Sequence, residues 1–271
     1  MDRIAVLIPV YNDQDGLERT LASLQQNGET ADVIVVDDGS EPPVSPRPNT
    51  HLLRLPENMG ITKALNHGLN AIMASGYDYV ARLDAGDISL PGRFEAQAAF
   101  LDQNADHAVV GCHVLHVTEE GMPLFVNQPP SDHAHLSQYM RRRNGYDHPS
   151  VMIRVACLKE TGIYNEIYSG SEDYELWRRL LRRGYKFANL PTVYLHKEVT
   201  PTQITARRFR SGPRLRVQLR YFEPLQLECW IGVARTSIAL VTPRRFALWG
   251  AKIQYSIRRR AEAGSHSSCC L

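Results

Sequence analysis

Three polar turns hold most of the groups able to do chemistry in the first half of the chain: Pro9-Val10-Tyr11-Asn12, Asp37-Asp38-Gly39-Ser40 and Asp84-Ala85-Gly86-Asp87. Each follows a short apolar run. Carboxylates in such places, without a glycine-rich cradle, suit a phosphate ligand through a bridging cation. Mg²⁺ and Mn²⁺ are hard ions that prefer carboxylate oxygens and hold a diphosphate through its own oxygens. No GxGxxG follows the first apolar run and no GxxxxGK[ST] occurs anywhere, which argues against a nicotinamide fingerprint and a P-loop. Asp and Gly after a strand are also ordinary turn residues, so the three turns carry weight only together.

In an open α/β sheet, ligands bind beyond the carboxyl ends of the strands, and the surrounding pattern supplies such a sheet. Ile4–Val10 reads as a buried strand, and Leu17, Leu21 and Leu24 mark one face of a helix. Val33-Ile34-Val35-Val36 is a second buried strand. A loop rich in proline (Pro42, Pro43, Pro46, Pro48) follows, then a short strand over His51–Leu55. A helix is expected from Gly60 to Ala74, a fourth strand over Tyr79–Leu83, and a helix from Pro91 to about Asn104. Val109–Val117 and Leu124–Val126 read as a hairpin around Glu119-Glu120-Gly121, so the sheet is expected to be mixed but mainly parallel. Helices follow at about 132–143 and 172–183, the second with Ser171 as N-cap. Beyond Pro201 the pattern is of helices broken at Pro213, Pro224 and Pro243.

The chain has 271 residues, 43% hydrophobic and 22% charged, which fits one large α/β domain, or one domain of ordinary size with an appendage, and excludes wholesale disorder. No apolar run reaches the length of a spanning helix. Met1-Asp2-Arg3 leads directly into Ile4–Val10, a segment too short and wrongly flanked for a signal peptide. Cys112, Cys157, Cys229, Cys269 and Cys270 form neither a disulfide framework nor a zinc spacing, so a reducing, cytoplasmic setting is expected. The net charge of +2 conceals a division, since residues 1–206 carry −8 and residues 207–260 carry +11.

Six segments, in order, resemble glycosyltransferase family 2, inverting enzymes of GT-A (Rossmann-like) fold. They are Val6-Leu7-Ile8-Pro9-Val10-Tyr11-Asn12, Val35-Val36-Asp37-Asp38-Gly39-Ser40, Asn58-Met59-Gly60-Ile61-Thr62-Lys63-Ala64-Leu65-Asn66, Ala81-Arg82-Leu83-Asp84-Ala85-Gly86-Asp87, His148-Pro149-Ser150-Val151-Met152 and Ser171-Glu172-Asp173-Tyr174-Glu175-Leu176-Trp177. The resemblance covers about residues 4–200. It implies a nucleotide-sugar donor, with UDP favoured, and Mn²⁺ or Mg²⁺ as cofactor. Pro9, Tyr11 and Asp38 would surround the base, although Tyr11 also suits a half-buried sheet position. Lys63 would reach the diphosphate, or else lie on a solvated helix face. Asp84 matches the first position of the family's Asp-x-Asp motif and would contact ribose or metal. Gly86 stands where the second carboxylate is usual, which leaves Asp87 either to take over as ligand or to cap a helix. His196 would complete the metal shell, with a structural role as its alternative. His148 and Glu172 would lie on the acceptor side. Asp173 matches the catalytic base, in a first helical turn where acids are favoured in any case.

The expected organisation is a glycosyltransferase domain over residues 1–200 and a basic amphipathic helical extension over 201–271. Arginines interleaved with Trp and Phe in 207–260 suit peripheral attachment to an anionic membrane surface, near a saccharide or lipid-linked saccharide acceptor. Packing on the acidic body, or on a second copy in an oligomer, is the competing reading. Nucleic acid is not expected, since no recognised motif accompanies the charge. Two other functions compete. A sugar nucleotidyltransferase needs a Gly-rich, Arg/Lys-containing loop after the first strand, which Pro9–Asp13 lacks. A catalytically silent nucleotide-sugar or glycan-binding protein is kept open by Gly86.

Overall fold

The computed structural model describes residues 3–28, 31–45, 47–48, 50–199 and 211–242. Its first half alternates strands and helices as β1 (Ile4–Val10), α1 (Gln14–Gln26), β2 (Asp32–Asp37), β3 (Thr50–Arg54), α2 (Ile61–Ala74), β4 (Tyr79–Arg82), β5 (Ile88–Ser89) and α3 (Arg93–Gln103). β6 (His107–Val117) and β7 (Pro123–Asn127) form the expected antiparallel hairpin. α4 (His133–Arg142), β8 (Met152–Arg154), α5 (Val155–Thr161), α6 (Glu172–Arg182) and β9 (Lys186–Glu198) complete the body, and α7 (Ser211–Arg220) and α8 (Leu227–Val241) follow.

All nine strands join one mixed sheet in the order β3-β2-β1-β4-β8-β6-β9-β5, with β7 on β6. β1 runs parallel to β2 and β4, which buries it on both faces and explains its unbroken apolar run. Leu7, Val36, Leu65 and Trp177 pack on one side of the sheet, and Ile8, Leu17, Val35 and Phe94 on the other. Each such burial is worth about 1.5–3 kcal/mol.

β5, β8, β9 and α5 were not legible in the pattern. β9 carries Pro191, which cannot donate to a ladder. The pairing with β6 steps from Leu190 opposite Cys112 to Val193 opposite His113, so the proline falls in a bulge. Two local expectations need correcting. Ser171 precedes α6, but its hydroxyl donates to the Gly170 carbonyl and makes no cap. Pro213 lies in the first turn of α7, where the missing N–H costs nothing, so it breaks no helix. Pro224 does separate α7 from α8, and Pro243 lies outside the described residues.

The helices after residue 210 pack against the body. Val217 of α7 and Tyr221, just past its end, cluster with Tyr174 of α6. Arg178 donates to the Tyr221 carbonyl at 2.7 Å and pairs with Glu223 at 2.9 Å. On α8, Glu228 pairs with Arg142 of α4 at 3.4 Å.

Candidate functional site

The turn after β1 is locked to the turn after β2. Asp38 donates its N–H to the Val10 carbonyl at 2.9 Å, Asn12 donates to Ser40 Oγ at 2.9 Å, and Glu41 donates back to Asn12 Oδ1 at 2.9 Å. Gly39 is required here, because it has φ +74° and an added Cβ would lie 2.3 Å from the Glu57 carbonyl carbon. The third turn is held by α1. The Gly86 N–H donates to Thr20 Oγ1 at 3.0 Å, and that hydroxyl donates to the Asp87 carbonyl at 2.8 Å. Buried Arg93 then ties β4 to the His148–Ser150 turn, donating to the carbonyls of Arg82 at 3.0 Å and Pro149 at 2.7 Å.

These constraints create two adjoining clefts that share Pro9, Val10 and Tyr11. One, of about 230 Å³, is also lined by Asp13, Asp84, Asp87, Lys197 and Glu198. The other is lined by Asp38, Asn58, Gly60, Ile61 and Ala64. Tyr11 is 47% exposed, so its ring is available to a flat ligand. Asp38 is buried and uses its two oxygens to accept from Met59 N–H at 2.8 Å and Gly60 N–H at 2.9 Å, thereby shaping the loop that forms the second cleft. Lys63 is exposed on the first turn of α2 and lines neither cleft.

Arg82 is buried and donates to Asp84 Oδ1. Burial alone would raise the Asp84 carboxyl, but the Arg82 charge, with Lys197 behind it, holds it down to about 2. Asp87 behaves oppositely. Burial raises it well above the usual range despite Lys197, and the Asp84 charge adds to the rise. Its Oδ1 accepts from Glu198 N–H at 3.2 Å, while Oδ2 is buried with no hydrogen-bond partner. Asp87 caps no helix, since α3 begins after Gly92.

The donor set suits a hard divalent ion in one respect. Two neighbouring carboxylates line the cleft, and one of them has an oxygen in need of a partner. Among the described residues, no group of three His, Cys, Asp or Glu is arranged to hold a metal. A Cβ on Gly86 would meet Glu198 Oε2 at 3.5 Å, so another carboxylate stands beside the space an acidic side chain would enter. His196 pairs across β9 with Ile88 and Leu115 and is not among the lining residues, whereas its neighbour Lys197 is.

His148 and Tyr164 link this cleft to α6. His148 Nε2 and the Tyr164 hydroxyl lie 2.8 Å apart. Burial, aided by Arg82, lowers the imidazole to about 4, against the opposing pull of Asp173 and Asp84. The Tyr164 hydroxyl is raised chiefly by burial, and Asp173, Glu172 and Asp84 also act on it. A buried tyrosine ring and the half-buried imidazole beside it therefore sit in the fields of the strand-end and helical carboxylates. Asp173 accepts from Asn144 Nδ2 at 2.6 Å, and Glu172 accepts from Gly170 N–H at 2.6 Å. Asn144, Tyr164, Lys197 and Glu198 were not singled out from the sequence. Strand parity would have found Lys197, because on β9 it shares a face with fully buried Leu195 while His196 takes the other.

Comparison with known proteins agrees with this architecture. The model of "Glycosyl transferase family 2" matches residues 5–159. The amylovoran biosynthesis glycosyltransferase AmsE of Erwinia amylovora is 32% identical over 230 residues, covering 79% of this chain and 83% of that protein. The UDP-Gal:alpha-D-GlcNAc-diphosphoundecaprenol beta-1,3-galactosyltransferase of Escherichia coli is 29% identical over 206 residues, covering 70% and 72%. Among solved structures, S. aureus TarS 1-349 in complex with UDP-GlcNAc has a TM-score of 0.58 at 18% identity, over 88% of this chain and 70% of that one. The mannosyltransferase PcManGT of Pyrobaculum calidifontis, in complex with GDP-Man and Mn2+, has a TM-score of 0.59 at 15% identity, over 97% and 75%. These likenesses under 25% identity establish the GT-A fold.

Proposed function

Since the chain belongs to glycosyltransferase family 2, we propose that it moves a sugar from a UDP-sugar donor to a saccharide or lipid-linked saccharide, inverting the anomeric centre, with Asp173 as general base. The observation that carries this reading is that His148 and Tyr164, in mutual contact, both lie in the fields of Asp84 and Asp173. A donor gripped at Asp84 and an acceptor hydroxyl at Asp173 then meet in one place.

The nucleoside lies in the second cleft, against Tyr11, Pro9 and the loop that Asp38 organises. The diphosphate extends into the acidic cleft. Asp84 and Asp87 are the residues that would hold a divalent cation, which when bound supplies charge neutralisation to the departing diphosphate. Asp173 takes the acceptor's proton as the hydroxyl oxygen attacks the anomeric carbon. The bond to the phosphate oxygen breaks on the opposite face, and its electron pair leaves with the nucleoside diphosphate. One displacement gives inversion. UDP and the lipid-linked acceptor are supported by what the Escherichia coli relative's name specifies, and UDP by the TarS complex.

The extension supports attachment beside a membrane. No helix among the described residues is long and apolar enough to cross one. However, Leu225, Leu227, Trp230, Ile238 and Val241 are all exposed, and the surrounding segment is strongly basic. That combination suits an interfacial helix on an anionic leaflet.

A panel of sugar nucleotides, assayed for transfer with NMR reading of the product's anomeric configuration, tests the reaction. Transfer with inversion from one UDP-sugar is expected. Retention of configuration, or binding without turnover across all donors and acceptors, would defeat the proposal.

A further inference from the structure

The acidic cleft poses an electrostatic problem. Asp13, Asp84, Asp87 and Glu198 line it, and Lys197 is the one cation among its described lining residues. A diphosphate entering four carboxylates is repelled unless positive charge is in place beforehand. The arginines beside the cleft are already committed. Arg82 is tied to Asp84 and to the Leu83 carbonyl, and Arg19 to Glu198 at 2.9 Å.

Lys197 is differently situated. β9 delivers it to the cleft opposite His116 of β6. Its side chain is four-fifths buried, and its Nζ lies 3.8 Å from Asp147 Oδ1, beyond hydrogen-bond length. Asp87 and Asp84 act on it from the cleft side. Asp147 is separately held by Asn127 at 2.7 Å and His116 at 3.2 Å. Both of those contacts fall on Oδ2 and remain if the ammonium turns away from Oδ1. A mostly buried ammonium kept charged by three carboxylates in range, with none of them at hydrogen-bond length among the described contacts, is a charge free to re-aim toward an incoming anion.

We propose that Lys197 binds the diphosphate of the nucleotide donor, swinging from Asp147 to the phosphate oxygens, so that nucleoside diphosphate affinity does not depend wholly on a divalent ion. This rests on the donor reading above. It assigns the diphosphate contact to β9, whereas Lys63 of α2 lies outside both clefts. A lysine serves here as a compact point charge with rotatable donors, which tolerates the shift between two anions.

Calorimetric titration of the full chain with UDP and with uridine, in EDTA and in Mn²⁺, tests the assignment. In EDTA the wild type should bind UDP at least roughly tenfold more tightly than uridine, as one charge-assisted contact requires. Lys197→Met should remove most of that difference and leave uridine affinity unchanged, while Lys197→Arg should retain it. The proposal is overturned if wild-type UDP affinity in EDTA equals that of uridine, a result that needs no variant to fold. It is equally overturned if Lys197→Met leaves UDP affinity intact, or weakens UDP and uridine by the same factor. If the wild type binds neither UDP nor GDP with or without Mn²⁺, the donor reading fails and this assignment fails with it.

Discussion

Asn144 donates its side-chain amide to Asp173 Oδ2 at 2.6 Å, while the Tyr174 N–H donates to Oδ1 at 2.7 Å. Both carboxylate oxygens are anchored, yet each keeps a lone pair for an incoming hydroxyl. With Asp173 as the proposed base, Asn144 is assigned as a positioning residue. Asn144→Ala should lower kcat roughly ten- to a hundredfold through misorientation of the base, with nucleotide affinity unchanged. Steady-state kinetics beside UDP titration separates the two, and parallel loss of both would reassign Asn144 to the fold.

His148 is half-buried, and desolvation together with the Arg82 charge lowers its imidazole from the usual 6.5 to about 4, which holds it neutral. Between those values the unfolded chain binds a proton that the native state refuses, so this residue's contribution is complete above pH 6.5 and is lost as pH falls toward 4. His148→Gln should flatten the fall in urea stability between pH 6.5 and 4.5. An unchanged slope would mean that the imidazole is not held neutral in the native state.

Gly39 holds a left-handed backbone hard against Glu57. Gly39→Ala should cost about 1–3 kcal/mol from the backbone angle alone, and more from the clash. It should also weaken UDP binding, because the adjoining Asn58–Gly60 loop must move. Equilibrium unfolding and titration test this, and wild-type values for both would contradict it.

Tyr221, just past the end of α7, donates to buried Glu175 Oε1 at 2.6 Å, two residues beyond Asp173 on α6. Tyr221→Phe strands Glu175 Oε1, while Arg179 still pairs with the other oxygen, Oε2, at 3.1 Å. A loss of about 1–3 kcal/mol is expected by urea denaturation. A neutral result would show that α7 does not brace the helix carrying the base.

The parallel half of the fold was legible because its strands are buried on both faces and read as continuous apolar runs, as in Ile4–Val10. β8 is only three residues long, and β9 is interrupted by Pro191, so neither produces a periodic signal. At the site, Pro9 at the end of β1 and Tyr11, Asp38, Asp84 and Asp87 beyond strand ends stood out by their places along the chain. Lys197 did not, because its significance depends on strand parity within a segment whose strand was hidden. Asn144 and Tyr164 act through partners distant in sequence, which no local pattern can reveal.

The most direct measurement is the Asp173→Asn variant assayed for both transfer and UDP affinity. Because the carboxylate is assigned to the acceptor's proton and is not among the residues lining the two clefts proposed for the nucleotide, transfer should fall roughly a hundredfold or more while the UDP dissociation constant stays within about twofold. Retained transfer, or loss of nucleotide binding in step with turnover, would contradict the assignment of Asp173 as the base.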